Sequence, residues 1–523
     1  LLEKRANIWK SSPPQEPVIA AGSTGSIPAT ADLLSVIARL PKGAVILPGL
    51  DLDMDDKTWD LLEPTHPQFS MSKLLKHMNV SRSKVTNWPT QISHSDSTRE
   101  FFINAMLAPA ATKQPIIDQN ILDKAMEGIL RLDCPGPREE ATAIALMLRE
   151  ILETPGQTAA LVTPDRNLAR RVAAELRRWQ IEIDDSAGKA LDKTIPGSFL
   201  RLIADAVANN LAPINLLALL KHPYTSIGYP PTTFRNLARR LESTALRGPR
   251  PNEGIEGLRK ALPKDEHNLN TFLNKIANAL NPLLSIPTNE KFSLSEMMQR
   301  LVRCAESLNS SDTLLSQEQL WIDEAGEETA GFVSEILEWG HALEIEPNRF
   351  AALLETLMAN RVARSRHVAH PRLAILGTLE ARLQSRDLLI LGGLNEGTWP
   401  PQTPASPWMS RPMMLKFGLP LPERRVGLSA HDFAQGLNAR KVTLTRAERV
   451  DGTPTVPCRW LRRIDNFLIR MQKPEKLTIP GPWLKWIAAA DEPSALEIIA
   501  APRPMPPTEV RPQSLSVTEV ETL

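Results

Sequence analysis

The residues best suited to chemistry in this 523-residue chain are arginines gathered after one short β-prone run. Arg446 closes Lys441-Val442-Thr443-Leu444-Thr445-Arg446. Arg449 follows it, and Arg459, Arg462 and Arg463 come soon after. A guanidinium is always charged and presents a planar fork of donors, so it suits a phosphate, whether of a nucleotide or of a nucleic-acid backbone. The plainer use of Arg449, Arg459, Arg462 and Arg463 is pairing with Glu448, Asp451 and Asp465, and Arg446 reads as structural or DNA-facing ahead of nucleotide-binding. Glu396 and Trp399 share a loop further upstream. A carboxylate there can help close the interface between domains by accepting backbone N–H bonds, and an indole there can stack on a base or fill the core. His431-Asp432 has the residue types of a catalytic dyad, but neighbours on a helix point in different directions. Asp51, Asp53, Asp55 and Asp56 have the oxygen chemistry of a hard-cation site, and a solvated loop is the favoured reading. The other histidines lack ligand spacing. No residue is assigned to catalysis and no metal set is assigned.

The elements that must hold these residues are legible from hydrophobic runs. Leu388-Leu389-Ile390-Leu391 reads as a strand covered on both faces, as in a parallel sheet. Gly392-Gly393 and Glu396-Gly397 then force a tight loop, at the carboxyl end of a strand where α/β proteins place their sites. About 45 residues separate this run from Lys441–Arg449, room for a helical crossover. Residues 17–50 read strand, turn, helix and strand: Pro17–Ala21, Gly22–Ser26, Ala31–Leu40 and Ala44–Leu47. The Gly22–Ser26 turn lacks the spacing and lysine of a phosphate-binding loop. Residues 51–130 mix helical patches (Thr98–Leu107, Asn120–Leu130) with polar loops. Residues 131–190 open on a Cys134-Pro135-Gly136-Pro137 break. A helix Arg138–Leu152 follows, with Glu139 and Glu140 favourably in its first turn, then strands at Ala159–Thr163 and Ile181–Ile183, with Asp165 as a helix cap between them. Residues 191–360 look almost wholly helical, an insertion into an α/β domain that resumes with a strand at Leu373–Leu376. Nine prolines between Pro474 and Pro512 mark 471–513 as a linker, with one short helix expected around Trp483, Trp486 and Ile487.

Composition narrows the classes. Hydrophobic residues make up 42% and charged residues 23%, ordinary for a globular chain long enough for several domains. The net charge of +1 gives no global nucleic-acid signature, but residues 411–470 hold twelve Lys or Arg against five Asp or Glu, interleaved with Phe433 and Trp460 and next to Trp408. Charge alone fits a phosphate-binding surface and a solvated basic face equally. Cys134, Cys304 and Cys458 are too scattered for a disulfide framework or a four-cysteine cluster, which suits a reducing cytoplasm. No apolar run is long enough to span a membrane. The chain lacks an initiator Met and stops just after Ser516 and Glu519, which have capping-box spacing, so a fragment is expected.

Longer patterns carry a resemblance. "LGTLEARLQSRDLLILGGLNEGTWPP", "PWMSRPMM", "LPERRVGLSAHDFAQGL" and "LTRAERVDGTPTVPCRWLRR" resemble the AddB subunits of AddAB-type helicase–nucleases that process double-strand breaks, in their alphaproteobacterial form. The match is strongest over 365–465 and weaker at "VIAAGSTGSIPATADLL" and "PGPREEATAIALMLREIL". It implies an α/β fold of two superfamily 1 helicase-like (RecA-like) parallel-sheet domains with a large helical insertion. The first domain would occupy 1–130, the second 131–190 with 361–470, the insertion 191–360, the linker 471–513 and the start of a nuclease domain 514–523. It implies a DNA-binding subunit working with an AddA-like motor on duplex ends and single strands, with Arg446, Arg449, Arg411, Arg462 and Trp399 as DNA-facing candidates. Mg²⁺ would belong to a nuclease domain beyond Leu523. Where active helicases carry "T-x-H-x-x-K-G-L-E-F", this chain reads Gly377–Ser385 without the His and Lys, and no carboxylate follows Ala20-Ala21-Gly22. ATP use therefore stays open. An active ATP-dependent helicase and a scaffold for a partner motor are the alternatives.

Overall fold

The aliphatic runs form strands, and those strands pair in parallel. In a computed structural model of the chain the principal strands are β1 (Val18–Ala21), β2 (Gly43–Ile46), β3 (Ile129–Cys134), β4 (Ala159–Val162), β5 (Asp184–Asp185), β6 (Leu373–Leu376), β7 (Leu388–Leu391) and β8 (Val442–Ala447). The structure describes residues 1–88, 97–109, 117–287, 289–310, 320–364, 370–403, 406–473, 477, 481–492, 501–510 and 514–522. The chain divides into two compact units, Leu1–Pro480 and Gly481–Leu523.

Within the first unit, six strands form one sheet in the order β3-β8-β7-β4-β6-β5, every neighbouring pair parallel. This is an α/β fold of the Rossmann or RecA-like kind. β7 lies between β4 and β8, with Leu389 opposite Val442 and Leu391 opposite Leu444. β4, β6 and β8 are buried along their whole length, as central strands covered on both faces must be. One face packs on the helices Glu423–Leu437 and Arg459–Arg470, through a core containing Leu389, Leu391, Val442, Leu444, Phe433, Ile464 and Leu468. The helix Pro137–Ile151 contacts β3, β4 and β8.

Two edge strands depart from the expectation. Ile129–Cys134 was read as the end of a helix followed by a break, yet it pairs with β8 over six residues. Its apolar run is broken by Arg131 and Asp133. These bind each other at 3.0 Å, and Arg131 also reaches Asp465 at 2.7 Å, so the charges are satisfied at the sheet margin. The short strand expected at Ile181–Ile183 falls instead at Asp184–Asp185, against β6.

β1 and β2 pair in parallel as a separate two-stranded sheet joined by the helix Pro28–Ile37, which begins three residues earlier than the apolar face suggested. Pro28 explains the early start: its fixed φ suits the first helical turn, and its missing N–H costs nothing there. Among the described residues of 191–360 the structure is largely helical and has its own core, including Phe199, Leu273, Met298, Leu301 and Leu354. The apolar-periodic run Ser198–Leu220, which reads as one helix, is two helices, Ile195–Ala208 and Pro213–Leu220. A two-residue antiparallel pairing, Phe292–Ser293 with Glu344–Ile345, occurs where no strand was expected. The insertion leaves and rejoins the sheet through a second such ribbon, Lys189–Ala190 paired with Val362–Ala363.

The second unit contains the helix Trp483–Asp491, near the expected position. It also holds the helix Val517–Thr522, preceded by a formed capping box: the Ser516 N–H donates to Glu519 Oε2 at 2.7 Å. Much of the expected linker (474–476, 478–480, 493–500 and 511–513, with Pro474 and Pro512) lies outside the described residues. Among the described residues no helix is long and apolar enough to cross a membrane. The three cysteines are free and buried, and burial raises their thiol pKa values, to about 11 for Cys458.

Candidate functional site

The carboxyl ends of β7 and β8 converge on one buried carboxylate. Glu140 lies in the first turn of the helix Pro137–Ile151, on the same face as Ile144, Met147 and Leu148, and is only 3% exposed. Its Oε1 accepts the Gly393 N–H at 2.8 Å and the Thr445 hydroxyl at 2.7 Å. One oxygen thus joins the loop after β7 to the end of β8. Burial pushes the Glu140 pKa up to about 7, against the two hydrogen bonds and the more distant Arg446 charge, which pull it down.

Sequence determines this local geometry. Gly392 ends β7 where a Cβ would sit 2.8 Å from a Leu161 methyl, and Gly393 adopts φ +76°, so a side chain is excluded at the first and strained at the second. The loop then folds back on its neighbours. Leu394 N–H donates to Thr445 O at 2.9 Å, Asn395 Nδ2 to Ala447 O at 3.0 Å, and Glu396 N–H to Val456 O at 2.9 Å. Glu396 caps the helix Arg459–Arg470: its Oε2 accepts the Arg459 N–H at 3.1 Å, and its carboxylate pairs with the Arg459 guanidinium. Glu396 was expected to help close the interface between domains by accepting backbone N–H bonds; it does accept one, but from Arg459 of the same sheet domain.

Arg446 is a lattice member of this corner. It is 5% exposed. Its Nε donates to Asn395 Oδ1 at 3.1 Å, its Nη2 to Thr455 Oγ1 at 2.9 Å, and its Nη1 lies 3.4 Å from Asp133 Oδ2. A buried guanidinium needs such partners, and having them it is not presented to an external phosphate. The DNA-facing assignment of Arg446 is therefore corrected. Trp399 is corrected likewise. It is 0% exposed, donates from Nε1 to Gly392 O at 3.1 Å, and meets Phe433 and Trp460 edge-on, so its ring faces core atoms and is closed to a base. Both errors have one cause: residue type announces chemistry, while the face of the strand or loop decides access.

Arg449, Arg411 and Arg462 are exposed. Arg449 lies on a two-residue hairpin, Arg449–Val450 with Thr453–Pro454, directly after β8. Arg462 lies on the helix that Glu396 caps. Arg411 pairs with Glu423. Of the acids expected to neutralise the cluster, Asp465 is taken by Arg131, and Arg463 instead donates to the Leu107 carbonyl at 3.1 Å. Beside the corner is a cavity of about 510 Å³, whose lining includes Glu140, Asp165, Arg171, Asn395, Glu396 and Thr455.

The remaining candidates are structural. Asp51 is buried and accepts the Asp53 and Met54 N–H groups at 3.0 and 2.9 Å. Asp55 caps the helix Asp56–Asp60, and Asp56 pairs with Arg82. Among the described residues no three His, Cys, Asp or Glu side chains gather as a metal would require. His431 and Asp432 point apart: Asp432 pairs with Arg382 at 2.7 Å, while His431 lines a different cavity of about 720 Å³ alongside β2. No family model and no curated protein matches this chain.

The structural roles of two residues went unread in the sequence. Glu140 carried a signal, since it interrupts the apolar face of its helix. Arg382 had none beyond its place in the Gly377–Ser385 segment. Its side chain and that of Asp432 are each 7% exposed, and Arg382 also reaches the Gly22 carbonyl at 3.4 Å, tying the loop after β1 to the helix Glu423–Leu437.

Proposed function

We propose that the chain is a DNA-binding, helicase-like subunit of a cytoplasmic, heterodimeric helicase–nuclease that processes double-strand breaks. In this reading β1–β2 and their helix belong to a first RecA-like domain, the six-stranded sheet is the second, and 191–360 is the insertion between its halves. ATP-driven movement comes from an AddA-like partner. Mg²⁺-dependent cleavage belongs to a nuclease domain that begins near Ser516.

The observation that carries the reading is the adjacency of β7 and β8. The two strands bearing the helicase-like motifs are hydrogen-bonded neighbours, and their terminal loops are locked through Glu140 and Arg446. Such a rigid corner supports exposed cations, Arg449 on its hairpin and Arg462 on the capped helix, without using them internally. Phosphate neutralisation by those cations releases counterions, so binding falls with salt. Arg446 keeps the corner in shape, and its guanidinium is committed within the chain.

The test is binding of the full chain to a blunt-ended duplex across a salt series. Arg449→Glu with Arg462→Glu weakens binding at low and moderate salt and lowers the salt slope by about two, near one per lost phosphate contact. Unchanged affinity and slope in that double variant reject the reading.

A further inference from the structure

Packed helices turn apolar side chains inward, and the helix Glu423–Leu437 departs from that rule along one stripe. His431, Ala434, Gln435 and Asn438 follow one another at helical spacing and all line the cavity of about 720 Å³ beside β2. The helix Ser97–Leu107 forms another wall with Glu100, Ile103 and Asn104, again at helical spacing. Leu50 and Leu52, in the loop after β2, add apolar surface. Gly49 lets that loop close on the first helix: it has φ +60°, and a Cβ there would fall 1.8 Å from Gln435 Nε2. The volume is that of a small-molecule site.

The polar groups of this cavity are not used up inside the chain. His431 is 1% exposed, yet its Nε2 is buried with no hydrogen-bond partner, and Asn438 Oδ1 is in the same state. Interior polar atoms are nearly always paired, so two unpaired ones on the wall of one cavity point to something that enters it.

The electrostatics favour a cation. Among the described residues Glu100 is the one Asp or Glu that lines the cavity, and no Lys or Arg joins it. Partial burial, with Asp51 and Asp53 nearby, raises the Glu100 pKa, as expected of a carboxylate short of positive charge. The arginines around it are committed elsewhere. Arg99 is turned to the carbonyls of Ala125, Glu127, Leu437 and Ala439, and Arg382 is held by Asp432. A phosphate or carboxylate would therefore meet like charge. A metal ion would find no three His, Cys, Asp or Glu side chains among the described residues. An organic ammonium can pair with the carboxylate, lay its methylenes on Leu50, Leu52 and Ile103, and donate a further N–H to His431 or Asn438.

We propose that this cavity binds a small aliphatic diamine or polyamine, with its charged end at Glu100 and a second nitrogen at His431 and Asn438. The site lies outside the β7–β8 corner and does not rest on the nucleic-acid reading.

The experiment titrates spermidine into the full chain by isothermal calorimetry at low salt with no DNA present, so its outcome is separate from that of the duplex-binding test. Wild type binds one spermidine saturably, and its melting temperature rises with spermidine concentration. Glu100→Gln weakens binding about tenfold, the scale of one lost charged hydrogen bond, and His431→Leu about two- to tenfold. Ala434→Leu narrows the cavity while keeping every charged group, and it weakens binding as well, which makes the test independent of how well His431→Leu folds. Mg²⁺ weakens binding no more than NaCl of equal ionic strength. Wild type without saturable binding overturns the proposal. So does a folded Glu100→Gln or Ala434→Leu variant that binds spermidine like wild type. Displacement by Mg²⁺ beyond the salt effect also overturns it, because it would reduce the site to a patch of surface acids.

Discussion

Replacing Glu140 with Gln gives a test of the corner in which sign and size both follow from the structure. Gln keeps an oxygen for the Gly393 N–H and the Thr445 hydroxyl but carries no titratable proton. In the wild-type fold the carboxyl has its pKa raised from 4.5 to about 7, with burial as the largest cause. Between those values the folded protein binds a proton that the unfolded chain has released, so wild-type stability falls as pH rises from about 4.5 and levels off above about 7. At 1.36 kcal/mol per unit, the ionised group costs about 3 kcal/mol at pH 8 relative to pH 4.5. The variant escapes that cost. Its melting temperature relative to wild type therefore climbs with pH, by a few degrees between pH 5 and pH 8. Parallel thermal melts at pH 5, 6, 7 and 8 measure it, and groups common to both proteins cancel in the difference. A flat difference refutes the reasoning. A variant that becomes relatively less stable at pH 8 does so more sharply, because it would mean that the helix terminus and Arg446 outweigh burial and hold the carboxylate charged.

Two further outcomes are expected. Arg382→Met strands Asp432 in a buried site and costs about 3–5 kcal/mol, whereas Arg382→Met with Asp432→Leu recovers most of the loss; chemical denaturation of the two variants compares them. Burial lowers the pKa of His66 and His222 to about 4 and of His431 to about 3, so these rings stay neutral in the fold while the unfolded chain protonates near 6.5. Stability is lost as pH falls from about 6.5 towards 4, and His431→Leu makes the decline in melting temperature over that interval shallower. A variant with the wild-type slope would contradict the neutral, buried state of His431.

The central strands were legible because β4, β6, β7 and β8 are buried on both faces and write that burial as unbroken aliphatic runs. The edges were not. β3 carries Arg131 and Asp133, whose mutual pairing and bond to Asp465 are invisible until the chain is folded, and β5 is only two aspartates long. The corner was half legible. The glycine-broken loop after Leu391 pointed to it, and Glu396 was read as an acceptor of backbone N–H groups. Which arginine faces outward was not written in local sequence. Thr445 and Arg446 sit on opposite sides of one strand, and both are buried because β3 and the Asn395 loop close over the strand end. Glu140 was read only as an acid favoured by the helix dipole, since propensity rules see the helix terminus and not the sheet above it.

The ribbon that joins Lys189–Ala190 to Val362–Ala363 bears on the order in which this molecule assembles. β5 and β6 are hydrogen-bonded neighbours, yet nearly the whole helical insertion separates them along the chain. Closing so long a tether at random would cost about 5 kcal/mol in chain entropy. The inserted helices have their own apolar interior, so once they condense they deliver both ends of the tether to one place. Formation of the β5 margin is thereby made conditional on a body that shares none of the sheet's core, and slow maturation of the insertion would leave β6 with a bare flank.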